Sequence, residues 1–92
     1  MKTDLRKLRD LEGIGKAAAK DFQLLGISSV GQLAEQDPEQ LFISLYKISG
    51  AQDICVLDVL RCAVAQAKDP SLPAHKRKWW YWSKIRKRNV DA

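Results

Sequence analysis

The chain has 92 residues, 46% of them hydrophobic, and a formal net charge of +5. That length holds one small domain. Folding buries only roughly two-thirds of the surface such a chain exposes when unfolded, so modest stability is expected. The opening MKTDLRKLRD has no apolar core of the secretory kind, and no apolar run approaches the ~20 residues needed to span a bilayer. A cytoplasmic location is the expectation.

The charge is uneven. Residues 1–75 hold nine Lys/Arg against ten Asp/Glu, whereas residues 76–92 hold seven against one. A near-neutral body therefore carries a basic tail, a pattern suited to phosphates or anionic lipids.

Five helical segments are predicted, and no segment alternates at period two, so the fold class is all-α. The first runs from about Asp4 to Asp10, with Asp4 as cap or first-turn acid and Leu5, Leu8 and Leu11 as an apolar stripe. It stops at "EGIG". The second runs from Lys16 to about Leu25, with Ala18, Ala19, Phe22 and Leu25 inward and Gly26 as terminator. The third is short, capped by Ser28 or Ser29, with Val30 and Leu33 inward.

The fourth opens at "DPEQL". Asp37 caps it, Pro38 takes the first helical position and Gln40 stands where a capping box needs it. Leu41, Leu45 and Ile48 follow at helical spacing, supported by Phe42, and Gly50 breaks the run. The fifth spans about Gln52 to Ala67. Val56, Val59, Leu60, Ala63, Val64 and Ala67 form its broad apolar face, with Asp58, Arg61 and Gln66 outward. Then "KDPSLP" forms an extended linker, because Pro70 and Pro73 disfavour helix just before them.

Cys55 and Cys62 are the only cysteines. On one helix their α-carbons stand ~10.5 Å apart, beyond the ~7 Å reach of a disulfide. A metal site joining them to His75 is a remote alternative; the plainer reading is small hydrophobes on a core helix.

The stretch "LRDLEGIGKAAAKDFQLLGI" carries the functional expectation. Glycines at 13 and 15 can take backbone conformations closed to other residues, and Ile14 can point into the space between the helices. Gly15, Lys16 and Ala17 then present free amides at a helix N-terminus, which suits a phosphate. Lys16 and Lys20, one turn apart, add charge. Between Arg6 and Lys20 five bases face the two acids Asp10 and Glu12. The competing reading is a tight connection that only builds the fold.

This stretch resembles the helix-hairpin-helix motif through Leu11, Gly13, Ile14, Gly15 and Ala19. The resemblance implies nonspecific binding of a DNA phosphate by the hairpin amides. It also implies a potassium or sodium ion on the backbone carbonyls of Arg9, Leu11 and Ile14. A second copy, "LYKISGAQDICVL", aligns Gly50 with Gly13 but places Gln52 at Gly15 and Asp53 at Lys16, so it has lost the phosphate-binding pattern. Glu12 stands where such turns usually carry Pro or a small polar residue, and its charge repels a phosphate.

The tail, "HKRKWWYWSKIRKR", has three readings: a membrane-surface helix, a nucleic-acid arm, or a lid on the core. Exposing all four aromatics would create a large apolar patch on a body otherwise poor in aromatics. Trp79 and Trp82, or their immediate neighbours, are therefore expected to pack on the body. Lys76, Arg77, Lys78, Lys84, Arg86, Lys87 and Arg88 are expected to stay in solvent as an electrostatic aid.

From about Leu5 to Ser83 the sequence is similar to the small bacterial pathogenicity-locus helix-hairpin-helix proteins, through its Gly-Ile-Gly start, "DPEQL", "CVLDVLRCA" and "KWWYW". The resemblance implies a tandem helix-hairpin-helix core over residues 1–68, with hairpins at 4–25 and 38–67 and a connector at 28–35. A linker at 69–75 and a tail at 76–92 follow, with 79–82 packed on the core.

The leading expectation is sequence-nonspecific binding of nucleic acid, DNA foremost. The alternative is a protein-interaction adaptor on the same scaffold. Catalysis is not expected: His75 lacks a nearby Cys or Ser partner, and no phosphate-loop motif or nucleophile elbow is present.

Overall fold

The computed structural model describes residues 5–90, with side chains through Arg88. The described residues are all-helical: a 3₁₀ turn at Leu8–Asp10, then α1 (Lys16–Leu24), α2 (Val30–Ala34), α3 (Pro38–Ser49) and α4 (Ile54–Lys68), a second 3₁₀ turn at Ala74–Arg77, and α5 (Trp79–Val90). No described helix is long and apolar enough to cross a membrane.

The first predicted helix is reduced to that 3₁₀ turn. The Lys7 N–H donates to Asp10 Oδ2 at 2.7 Å, closing a single tight turn. The Arg6 guanidinium reaches instead to the end of α4, donating to the carbonyls of Gln66 at 2.9 Å and Ala67 at 3.2 Å. Those carbonyls lie in the last turn of α4, where intrahelical donors run out and a cation suits the dipole. Leu5 is exposed, so only Leu8 and Leu11 of the expected stripe meet the core. The proposed cap at Asp4 lies outside the described residues.

The later helix starts follow the expected capping chemistry. Ser29 Oγ accepts from the Gln32 N–H at 3.0 Å, and Asp37 Oδ1 accepts from the Glu39 N–H at 2.9 Å, with Pro38 opening α3. Among the described residues no reciprocal bond from Gln40 completes a capping box. At the start of α4, Asp53 Oδ1 accepts from the Cys55 N–H at 2.9 Å.

The core gathers Leu11, Phe22, Ile27, Val30, Leu33 and Leu41 around Leu60, Ala63, Val64 and Ala67 of α4. Helix α4 is the axis of the molecule, packing on α2, α3 and α5. That position overturns two expectations. Asp58 and Gln66, expected outward, are buried, because a central helix has no outward face along most of its length. Ile48 and Ala19, expected inward, are exposed.

The tail folds back as α5 along α4. Its inner side carries Trp82, Ser83 and Arg86. The Trp82 indole N–H donates to the Lys76 carbonyl at 2.8 Å, and Ser83 is buried. Arg86 grips buried Asp58 in a fork, Nε to Oδ1 at 3.0 Å and Nη2 to Oδ2 at 3.1 Å. The second 3₁₀ turn begins at Ala74, within the expected 69–75 linker. Trp79 and Trp80 remain substantially exposed, so the lid is made by Trp82 and Ser83 rather than by the first tryptophans.

Candidate nucleic-acid interface

The Gly13–Gly15 turn joins the 3₁₀ turn to α1. Gly13 takes φ +84°, a left-handed conformation that side chains disfavour. Gly15 does not: as the residue before α1 it sits at φ −89°, ψ −168°, extended backbone open to any residue. A Cβ added there meets no heavy atom within 4 Å. The fold therefore requires glycine at 13 and not at 15, so only the first glycine uses the backbone freedom open to both. Ile14 is half-buried against the core, as its position between the helices predicts.

Two contacts fix the turn. The Glu12 N–H donates to Gln66 Oε1 at 2.8 Å, and Gln66 Nε2 donates back to the Glu12 carbonyl at 2.9 Å. A buried side-chain amide of α4 thus holds the turn's backbone by both of its polar groups. The Glu12 carboxylate is clasped separately by Lys78 and by Arg77, whose Nε lies 3.3 Å from Oε1. The hydrogen bond from Lys78 is the main cause that holds the Glu12 carboxyl below its usual range, with the charges of Lys78 and Arg77 adding to it. The acid expected to repel a phosphate is accordingly neutralised by the tail.

Beyond the turn, α1 starts without a side-chain cap, unlike α2, α3 and α4. Its first cap-spanning bond is Ala19 N–H to the Gly15 carbonyl, at 2.9 Å. Helical geometry leaves the amides of Lys16, Ala17 and Ala18 without intrahelical acceptors. Gly15, Lys16 and Ala17 are exposed, as is Lys20, and neither lysine forms an ion pair among the described residues. The five sequence-predicted bases do not act together, since Arg6 is committed to the end of α4. Lys7 and Arg9 line a separate groove of about 440 Å³ with Ile14, Ala19, Ser28 and Ser29.

The second turn, at Gly50, repeats the φ of the first, at +85°. It differs at the helix start, where Asp53 occupies the leading amides of α4 with its own carboxylate. That hydrogen bond from the Cys55 N–H lowers the Asp53 pKa, so a negative charge stands where the first hairpin offers free donors.

The carbonyls of Arg9, Leu11 and Ile14 accept none of the turn and cap hydrogen bonds among the described residues.

The basic tail divides. Arg77, Lys78 and Arg86, expected in solvent, are spent on Glu12 and Asp58. Lys84, Lys87 and Arg88 lie exposed on the outer side of α5, and with the half-buried Lys76 they form no ion pair among the described residues. The cysteine–histidine alternative finds no assembly. Cys62 is buried, accepting from Gln66 Nε2 at 3.5 Å and donating to the Lys76 carbonyl at 3.8 Å, and burial pushes its thiol up to about 11. His75 packs edge-on against Tyr81, and the described residues contain no cluster of three potential metal-ligating side chains.

A cleft of about 400 Å³ adjoins the start of α1, between α1, the first turns of α4 and Trp79. Neither it nor the roles of Gln66 and Asp58 was foreseen. The one available signal for those two was a polar residue at each of two positions on a helix too apolar to lie at a surface.

No solved structure matches the chain. A mitomycin resistance protein, McrB of Streptomyces lavendulae, is 36% identical over 87 residues, covering 94% of this chain and 79% of the relative. The family model described as "Pathogenicity locus" (Cdd1) matches residues 1–88, and the chain belongs to that family.

Proposed function

We propose that this protein is a nucleic-acid-binding module that holds backbone phosphates, DNA foremost, at a helix-hairpin-helix turn formed around Gly13, Ile14 and Gly15, without reading base sequence. The observation that carries this reading is the bare start of α1: α2, α3 and α4 each have a side-chain cap and α1 has none. Uncapped amides with the positive end of the helix dipole are an anion site. Lys16 and Lys20 supply charge beside it, and the clasp of Arg77 and Lys78 on Glu12 removes the nearest repulsion. Lys76, Lys84, Lys87 and Arg88 add long-range attraction. On this reading the protein is a binding module of the bacterial cytoplasm rather than an enzyme.

The test is binding of labelled duplex DNA across a salt series. Affinity should fall with a slope of about −0.9 in log K per phosphate neutralised, and Lys16→Glu should weaken binding at every salt concentration. A flat salt response, or a Lys16→Glu protein that binds like wild type, overturns the assignment.

A second reading, a protein-interaction adaptor, is favoured by one observation. Ile43, Tyr46 and Ile48 of α3 and Ile54 of α4 are all exposed. A purified protein that binds no DNA, but retains a protein partner after nuclease treatment, selects that reading.

A further inference from the structure

Gly15, Lys16 and Ala17, the residues at the bare start of α1, line the cleft between α1, α4 and α5. Its walls are predominantly apolar: Ala17 and Ala18 from α1, Val56 and Val59 from α4, and the indole of Trp79. The volume, about 400 Å³, lies within the ~300–1,000 Å³ typical of small-molecule sites. Trp79 is 36% exposed and its neighbour Trp80 51% exposed, the two rings meeting edge to face at 6.0 Å. The fold buries Ser83 and ties Trp82 by its indole N–H, yet leaves these two indoles open beside the turn.

The polar groups are distributed along the cleft. Lys16 and the leading amides of α1 stand at one end. The Asp21 carboxylate also lines the cleft, five residues further along α1, or about 7.5 Å. A ligand that satisfies this pattern has an anion at one end, a flat apolar body and a hydrogen-bond donor at the far edge. A phosphate attached to a nucleobase has these three parts. A base inside a duplex is stacked and paired, so its face and edge are unavailable to the cleft.

We propose that the cleft receives one unpaired base of a nucleic-acid strand, stacked against Trp79, while the adjoining phosphate rests on the α1 amides. The proposal rests on the hairpin reading above and narrows it. The preferred partner is a single strand, or a junction with unpaired nucleotides, rather than continuous duplex. The basic outer side of α5 follows the rest of the strand, since bases stacked on aromatics within a cationic groove are the general mode of single-strand binding.

The experiment titrates the full chain with a thymidine dodecanucleotide, a blunt duplex of equal length and free thymidine monophosphate, at one salt concentration. Wild type, Trp79→Ala, Trp79→Phe and Lys16→Glu are compared, each checked for native helicity by circular dichroism. Wild type should bind the single strand several-fold more tightly than the duplex, and the mononucleotide far more weakly than either. Trp79→Ala should weaken single-strand binding roughly 5- to 150-fold, the range for loss of one stacked base, with duplex affinity little changed. Trp79→Phe should retain most of the preference. Cys55, which lines the cleft, should be alkylated more slowly with the dodecanucleotide bound than with the duplex bound.

Equal affinity for both strands, with no effect of Trp79→Ala, overturns the cleft proposal. If Lys16→Glu then weakens both, the hairpin reading survives alone. If Lys16→Glu changes neither, the hairpin reading fails and the cleft proposal fails with it. Mononucleotide binding as tight as that of the dodecanucleotide also overturns it, making the cleft a small-ligand site.

Discussion

Gln66 and Glu12 exchange two hydrogen bonds across 54 residues of sequence, the side-chain amide of one meeting the backbone N–H and carbonyl of the other at 2.8 and 2.9 Å. This pairing sets where the hairpin sits relative to α4. Replacing Gln66 by Leu keeps approximate volume but strips both partners from the Glu12 backbone. An unsatisfied buried group costs about 1–3 kcal/mol. Urea denaturation should therefore show Gln66→Leu destabilised by about 1–3 kcal/mol, whereas Gln23→Leu, on the exposed side of α1, should change stability by less than about 0.5 kcal/mol. Equal midpoints for the two variants would contradict the assigned role.

The parts of this architecture legible in the sequence are those governed by neighbours in sequence. Asp37-Pro38, Ser29 and the glycines at 26 and 50 mark helix ends through local chemistry, and those ends fall where expected. What was hidden depends on partners far along the chain. Asp58 looked solvent-facing because a single apolar stripe presumes a surface helix, yet Arg86, 28 residues later, lets its charge be buried. Glu12 looked repulsive to phosphate because Lys78, 66 residues away, was out of view. The motif presents two glycines alike, although of the pair only Gly13 has a positive φ. The tail's charge is legible in the sequence, but its division between structural clasps and free cations depends on the docking of α5.

The Asp58–Arg86 fork is the lock for that docking. Asp58 is fully buried, and the Arg86 side chain is 17% exposed. Removing one member of such a pair leaves the other charge buried and unpaired, whereas replacing both by apolar residues is often neutral. Arg86→Met should therefore lower the urea midpoint strongly, and Asp58→Leu combined with Arg86→Met should recover most of it. If the single variant matches wild type, α5 is not held by this contact.

Acid should weaken the fold through identifiable carboxylates. Lys78, by its hydrogen bond, holds the Glu12 pKa below its ordinary value of 4.5; a side-chain hydrogen bond with Glu39, helped by the Glu39 N–H, lowers that of Asp37 below 3.8, and the Cys55 N–H does the same for Asp53. A depressed folded pKa contributes stability fully above the unfolded value, and that stability is lost as pH falls through the folded one. Burial raises Asp21, which works in the opposite direction. Stability should accordingly decline below about pH 4.5, with the three lowered groups outweighing one. Glu12→Gln should flatten part of that decline, read as a smaller difference in urea midpoint between pH 6 and pH 3. An unchanged difference would show that the clasp on Glu12 exerts no pH-dependent hold.

The two glycines of the turn separate folding from binding. At Gly13, φ is +84°, and an L-residue held there costs roughly 1–2 kcal/mol, so Gly13→Ala should lower stability by about that amount. At Gly15 the backbone is extended and a Cβ meets nothing within 4 Å, so Gly15→Ala should unfold at the wild-type urea concentration. Its methyl group nevertheless lies directly beside the amides of Lys16 and Ala17. If a phosphate approaches those amides, Gly15→Ala should weaken DNA binding severalfold with no loss of stability. A Gly15→Ala protein that keeps both wild-type stability and wild-type affinity would place the bound phosphate elsewhere, with the groove lined by Lys7 and Arg9 as the next surface to mutate. Loss of affinity without loss of stability would tie the second glycine to the ligand rather than to the fold.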